Sequence, residues 1–87
     1  MNVVLIYDIT ENKCSKVKKC CNKYLNHVQN SVFEGDITSS KLMELENELK
    51  TIIDKETDSV IIYKINNPKW INKNILGIEK NSHDNFI

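Results

Sequence analysis

Two short runs rich in valine and isoleucine, Asn2–Ile9 and Ser59–Ile65, frame this chain and limit what it can fold into. Neither has a helical period, and each has the length and β-branched content of a strand buried on both faces or nearly so. Helical patterning fills part of the space between them. Val17, Cys20, Cys21, Tyr24 and Val28 recur at helical spacing after the polar stretch Thr10–Lys13, where Thr10, Asn12 and Ser15 are candidate caps; the helix is expected to end near Leu25 or Asn26. Leu42, Leu45, Leu49, Ile52 and Ile53 form the stripe of a second helix, capped by Thr38, Ser39 or Ser40. Between the helices, Val28, Val32, Phe33 and Ile37 favour β structure, with a turn signal at Glu34-Gly35-Asp36. Pattern alone leaves open whether residues 27–38 are one bent strand or a hairpin. Trp70–Ile78 has room for one more short strand.

The order β-α-β(β)-α-β predicts an α+β fold, a small sheet with two helices on one face, as in the split β-α-β sandwich of ferredoxin-like domains. The expected organisation is a ferredoxin-like domain over residues 1–78 with a C-terminal extra strand, and a tail over 79–87 that is mostly polar before an apolar end. With 87 residues there is one domain, and burial of only ~60–65% of the unfolded-chain surface makes oligomerisation useful to it. The second sheet face has no helix left to cover it, so it is expected to meet another chain.

Neither a transmembrane helix nor a signal-peptide core is expected. No run of eighteen apolar residues exists, and Asp8 interrupts the N-terminal apolar run. Cys14, Cys20 and Cys21 are odd in number and form no spaced metal-binding pair with each other, His27 or His83, which fits reduced thiols in a cytoplasmic protein.

The formal net charge is zero, and all twelve basic residues are lysines. That sum conceals an asymmetry: residues 12–32 carry five lysines and no acid, whereas residues 34–58 carry eight acids against three lysines. On a helical wheel Lys13, Lys16, Lys19 and Lys23 occupy about a third of the circumference beside the apolar face. Such a stripe is either a solvated face or a track for a phosphate backbone, and lysines without arginine's fork favour contact that is independent of base sequence. Glu44, Glu46 and Glu48, with Asp54, Glu56 and Asp58 in the following loop, would repel nucleic acid and form either a solubilising face or a dock for a basic protein.

Asp8 ends the first strand, at the sheet rim where ligands collect in α/β folds. A carboxylate there either shapes the turn and caps the helix or holds Mg²⁺, an ion that keeps most of its waters and needs only one or two protein carboxylates. Glu11 lies one loop away, and a symmetric dimer would bring a second Asp8 to the same ion. No Ser-His-Asp or Cys-His arrangement and no glycine-rich phosphate loop is present, which removes most other enzyme classes.

Tyr7-Asp8-Ile9, Lys16-Val17 on the first helix, and above all the string Val28-Gln29-Asn30-Ser31-Val32-Phe33-Glu34-Gly35 resemble the small CRISPR-associated protein of the adaptation module, the Cas-two family. Ser59–Tyr63, Leu76-Gly77, Glu79-Lys80 and Asn85-Phe86-Ile87 extend the likeness over nearly the whole length. The resemblance implies a ferredoxin-like homodimer whose C-terminal strands cross between sheets, with the 79–87 tail packing at the dimer interface. It also implies a complex in which that dimer bridges two dimers of the CRISPR integrase and supports the protospacer DNA duplex during spacer acquisition. It further implies Mg²⁺-dependent endonuclease or endoribonuclease chemistry with Asp8 as metal ligand and catalytic carboxylate, on double-stranded DNA or RNA. Lys13, Lys16, Lys19, Lys23 and His27 are the nucleic-acid-binding candidates, and Phe33, Ile62, Leu76 and Phe86 the candidates for core or dimer interface. Where the family often has arginine, this chain has Lys13, Lys16 and His27, which keeps phosphate attraction and weakens the case for geometry-specific RNA cleavage. The alternative is a toxin-like, metal-dependent endoribonuclease that acts without an integrase.

Overall fold

The computed structural model describes residues 1–66 and 73–78. Its elements run β1 (Asn2–Asp8), a short 3-10 turn (Glu11–Lys13), α1 (Cys14–Asn22), β2 (Asn26–Gln29), β3 (Val32–Asp36), α2 (Ser39–Ile52) and β4 (Ser59–Ile65). The sheet order is β2-β3-β1-β4, with every neighbouring pair antiparallel. α1 therefore links the parallel strands β1 and β2 across β3, and α2 links β3 and β4 across β1. This is the split β-α-β arrangement, and the α+β ferredoxin-like expectation holds.

Both helices pack on one side of the sheet. The core joins Val3, Leu5, Tyr7 and Phe33 from the strands to Val17, Cys20 and Cys21 from α1 and Leu42, Leu45 and Leu49 from α2. Strand burial consequently alternates. Val3, Leu5 and Tyr7 are buried, while Asn2, Val4 and Ile6 between them are half-buried and Asp8 is exposed. The expectation of strands buried on both faces is thus corrected: valines and isoleucines occupy both parities, but the helices cover only one.

Residues 27–38 are a hairpin, not a bent strand. Its turn lies at Asn30-Ser31, where Asn30 has φ 45°, a left-handed conformation that asparagine tolerates better than most residues. The expected turn at Glu34-Gly35-Asp36 falls inside β3 instead. Gly35 is there for close approach: a Cβ on it would lie 3.3 Å from Leu25 Cδ2. α1 itself closes at Asn22 through a tightened turn in which the N–H groups of Lys23, Tyr24 and Leu25 reach back to Cys20 and Cys21 carbonyls. Val28, counted by spacing with the helical stripe, belongs to β2. Thr38 caps α2, its hydroxyl accepting from the Lys41 N–H at 3.2 Å. Of the three residues proposed as caps for the first helix, Thr10 stands before the 3-10 turn but makes no side-chain cap bond.

Residues 73–78 contain no strand. Leu76 is 97% exposed there, so it is not a core residue of this chain. Trp70, His83, Phe86 and the proposed 79–87 tail lie outside the described residues.

Candidate nucleic-acid interface and the Asp8 carboxylate

The lysine stripe on and before α1 is divided by two acids. Asp58, in the loop before β4, accepts from the Thr10 backbone N–H (3.1 Å), the Thr10 hydroxyl (3.1 Å) and Lys13 Nζ (2.6 Å), and also from the Asp54 N–H (2.8 Å). Its side chain has no solvent exposure. These donors, led by the Asp54 backbone and the Lys13 ammonium, hold its carboxyl far below the usual range. Asp58 was expected to be a repulsive surface charge; it is a buried latch that ties the chain after β1 to the chain before β4. Lys13 is thereby committed within the fold.

Glu48 does the same at the other end of α1. It reaches across from α2 to accept from Lys23 Nζ (2.6 Å), the Tyr24 hydroxyl (2.6 Å) and the Cys20 thiol (3.3 Å). The hydrogen bond from Lys23, followed by those from Tyr24 and Cys20, lowers its pKa to about 2. The Tyr24 hydroxyl is correspondingly raised to about 12 by its bond to Glu48, and burial followed by the Glu48 contact raises the Cys20 thiol to about 11. Cys21, fully buried, is pushed up to about 12 by burial. These thiols are core groups held in the neutral form.

Lys16, Lys18 and Lys19 remain exposed along the middle of α1, and no acid pairs with them among the described residues. Lys16 and Lys19 share an open groove between α1 and α2 with Cys20, Lys23, Glu48 and Ile52. Of the four stripe lysines, then, Lys16 and Lys19 present free charge, Lys23 is paired at the groove wall, and Lys13 is sequestered.

His27 sits elsewhere. It stacks on Phe33 with ring centroids 4.6 Å apart, and its Nε2 lies 2.7 Å from the Asn30 carbonyl, closing the β2–β3 turn. Phe33, fully buried, also stacks on Tyr7 at 6.1 Å. The structure therefore places His27 on the hairpin, away from the α1–α2 groove, and Phe33 at the centre of the core. Ile62 is partly buried against that core from β4.

Asp8 is exposed at the end of β1, directly opposite Ser59 on β4. The β1–β4 register puts it on the uncovered sheet face, in the row with Ile6 opposite Ile61 and Val4 opposite Tyr63. Ile61 is 47% and Tyr63 56% exposed. Glu34, across from Val4 on β3, shares this face and accepts from Lys73 Nζ at 2.7 Å. Among the described residues no group of three or more His, Cys, Asp and Glu side chains is arranged to hold a metal ion. Glu11 belongs to the 3-10 turn, in a different element from Asp8. At the end of β1 one chain thus offers one exposed carboxylate, that of Asp8. No helix among the described residues is long and apolar enough to cross a membrane.

The family model described as CRISPR associated protein Cas2 matches residues 1–73. The chain belongs to this family. It is 46% identical over 85 residues to a CRISPR-associated endoribonuclease Cas2 of Thermodesulfovibrio yellowstonii, covering 98% of this chain and 97% of that protein. A CRISPR-associated endoribonuclease Cas2 of Pyrococcus furiosus is 44% identical over the full length of both chains. Among solved structures, a Cas2 crystal structure superposes with a TM-score of 0.82 at 37% identity, covering 94% of this chain and 92% of the other. Streptococcus pyogenes Cas2 gives 0.78 at 31% identity, covering 88% and 100%. The family resemblance read from VQNSVFEG is confirmed, and in Cas2 terms that string is the β2–β3 hairpin that carries Phe33 and Gly35.

Proposed function

We propose that this chain acts as a homodimer in the CRISPR spacer-acquisition complex, in the cytoplasm, where it bridges two integrase dimers and holds the middle of the protospacer DNA duplex. The observation that carries the reading is the unpaired lysine row on α1: Lys16 and Lys19 stand free beside a groove while the acids around them are consumed by latches. Point charges of this kind contact phosphates without reading bases, which suits a subunit that must accept any protospacer sequence. The uncovered face, with Val4, Ile6, Ile61 and Tyr63, supplies an apolar surface for the second copy.

The relatives' names add a nuclease reading, and the residue for it is Asp8. In a dimer joined through the open faces, two Asp8 carboxylates lying toward one edge could share one Mg²⁺, which when bound would supply Lewis-acid charge to a phosphodiester. His27 is given no part in this chemistry: it lies on the hairpin, with its Nε2 against the Asn30 carbonyl and one face on Phe33.

The test uses the full-length dimer mixed with its integrase partner and a protospacer duplex. Lys16→Glu with Lys19→Glu should weaken duplex binding by at least tenfold at ~0.1 M salt, and the wild-type affinity should fall as salt rises. Binding equal to wild type would remove the lysine row from the interface. Asp8→Asn in the same assay should leave binding intact while abolishing any Mg²⁺-dependent cleavage of DNA or RNA.

A further inference from the structure

The two acid-paired lysines of the stripe are not equivalent. The Lys13–Asp58 pair is part of the fold, its carboxylate without exposure. The Lys23–Glu48 pair stands at the groove wall with side chains 58% and 38% exposed, beside the free Lys16 and Lys19. Glu48 cannot easily swing aside. It is held from α1 by Lys23, by the Tyr24 hydroxyl on its other oxygen, and by the Cys20 thiol. An anion that enters the groove therefore meets a fixed negative charge next to its three lysines.

We infer that Glu48 is a built-in counter-ion of the lysine groove, masking Lys23 so that only Lys16 and Lys19 engage phosphate, and setting nucleic-acid affinity below what the lysine count allows. This rests on the reading of the groove as a phosphate-binding surface. A phosphate beside Lys23 meets Glu48 as well, so the pair brings no net positive charge and displaces no condensed cation from a duplex. The slope of log affinity against log salt is close to 0.9 per phosphate neutralised, so it counts the lysines that engage. Glu48 lowers that count by one per protomer. Removing its charge should tighten binding, the reverse of what loss of a structural ion pair would do.

The experiment measures binding of the full-length protein to a 30-base-pair duplex from 50 to 200 mM salt, and its elution from heparin, a sulfated polyanion. Glu48→Gln keeps an acceptor for Tyr24 and should bind more tightly, with a slope steeper by about one per protomer. Over a fourfold rise in salt its affinity should fall about threefold more than wild type for each protomer engaged. Glu46→Gln, on the same helix outside the groove, removes the same charge and should leave the slope unchanged. Lys23→Ala in the Glu48→Gln background should restore the wild-type slope. The inference is overturned if Glu48→Gln keeps the wild-type slope, if Glu46→Gln steepens it equally, or if adding Lys23→Ala leaves the slope of Glu48→Gln unchanged. Glu48→Ala, which removes the same charge, gives the same reading if Glu48→Gln does not fold. If no variant binds the duplex, the nucleic-acid reading fails on its own. Heparin then decides the masking: later elution of Glu48→Gln than of Glu46→Gln upholds it, and equal elution overturns it.

Discussion

The two faces of the sheet are made by the same four strands, yet one is finished and the other is not. Val3, Leu5, Tyr7 and Phe33 point toward the helices and are buried. Val4 and Ile6 on the same strand point the other way, opposite Tyr63 and Ile61, and that row is left partly or largely open. Composition does not distinguish the rows, since valine, isoleucine and tyrosine occur in both. The difference comes from connectivity: each crossover puts its helix on the same side, so a chain of this order completes one face and leaves the other uncovered.

The largest effect should come from the finished face. Phe33→Ala removes the ring between Tyr7 and His27 and should cost ~3–5 kcal/mol in urea unfolding, at any protein concentration. A loss below ~1 kcal/mol would mean that the helix-covered face does not carry the stability of the domain. The open face should answer differently. Ile61→Asp with Tyr63→Ser leaves the helix-side core untouched, so sedimentation should shift from dimer to monomer and the melting temperature should lose its dependence on protein concentration. An unchanged sedimentation coefficient would mean that this row is not the interface.

The smallest effect concerns neither face but the acids that pin the helix layer to itself and to the loop before β4. Glu48 has its pKa lowered to about 2, mainly by Lys23, so its contribution is complete above the ordinary carboxylate value near 4.5 and is lost as pH falls toward 2. Asp58 acts in the same direction. The melting temperature of wild type should therefore drop through that window, and Glu48→Gln should lessen the drop by a few degrees without removing it, because Asp58 remains. An identical pH profile would show that the Glu48 bonds do not persist in solution.

Much of this was legible from periodicity. Leu42, Leu45 and Leu49 announced α2 and its buried side, and Thr38 was among the named caps. The two framing runs became β1 and β4, paired in register from Asn2 with Ile65 to Asp8 with Ser59. The hairpin turn was misplaced because Glu-Gly-Asp reads as a turn on local propensity, whereas Gly35 answers to Leu25, a contact made only when the helix layer is in place. The latches were illegible for a related reason. Asp58 meets Lys13 across 45 positions and Glu48 meets Lys23 across 25, and nothing local marks either carboxylate apart from its neighbours. A hint existed in Asp54–Asp58, whose aspartates form a self-capping turn that leaves Asp58 facing inward. The lysine row was legible as a row; its division into free and paired members needed the second helix.

The strand order carries a consequence for how the chain is made. β1 is synthesised first but lies in the interior of the sheet, with β3 on one side and β4 on the other. Its first partner ends at Asp36, and its second is incomplete until Ile65 has left the ribosome. During that interval the nascent chain carries an apolar strand with an unpaired edge, the condition that invites pairing between neighbouring nascent chains. The central strand of the sheet is thus available to other chains well before that sheet is closed.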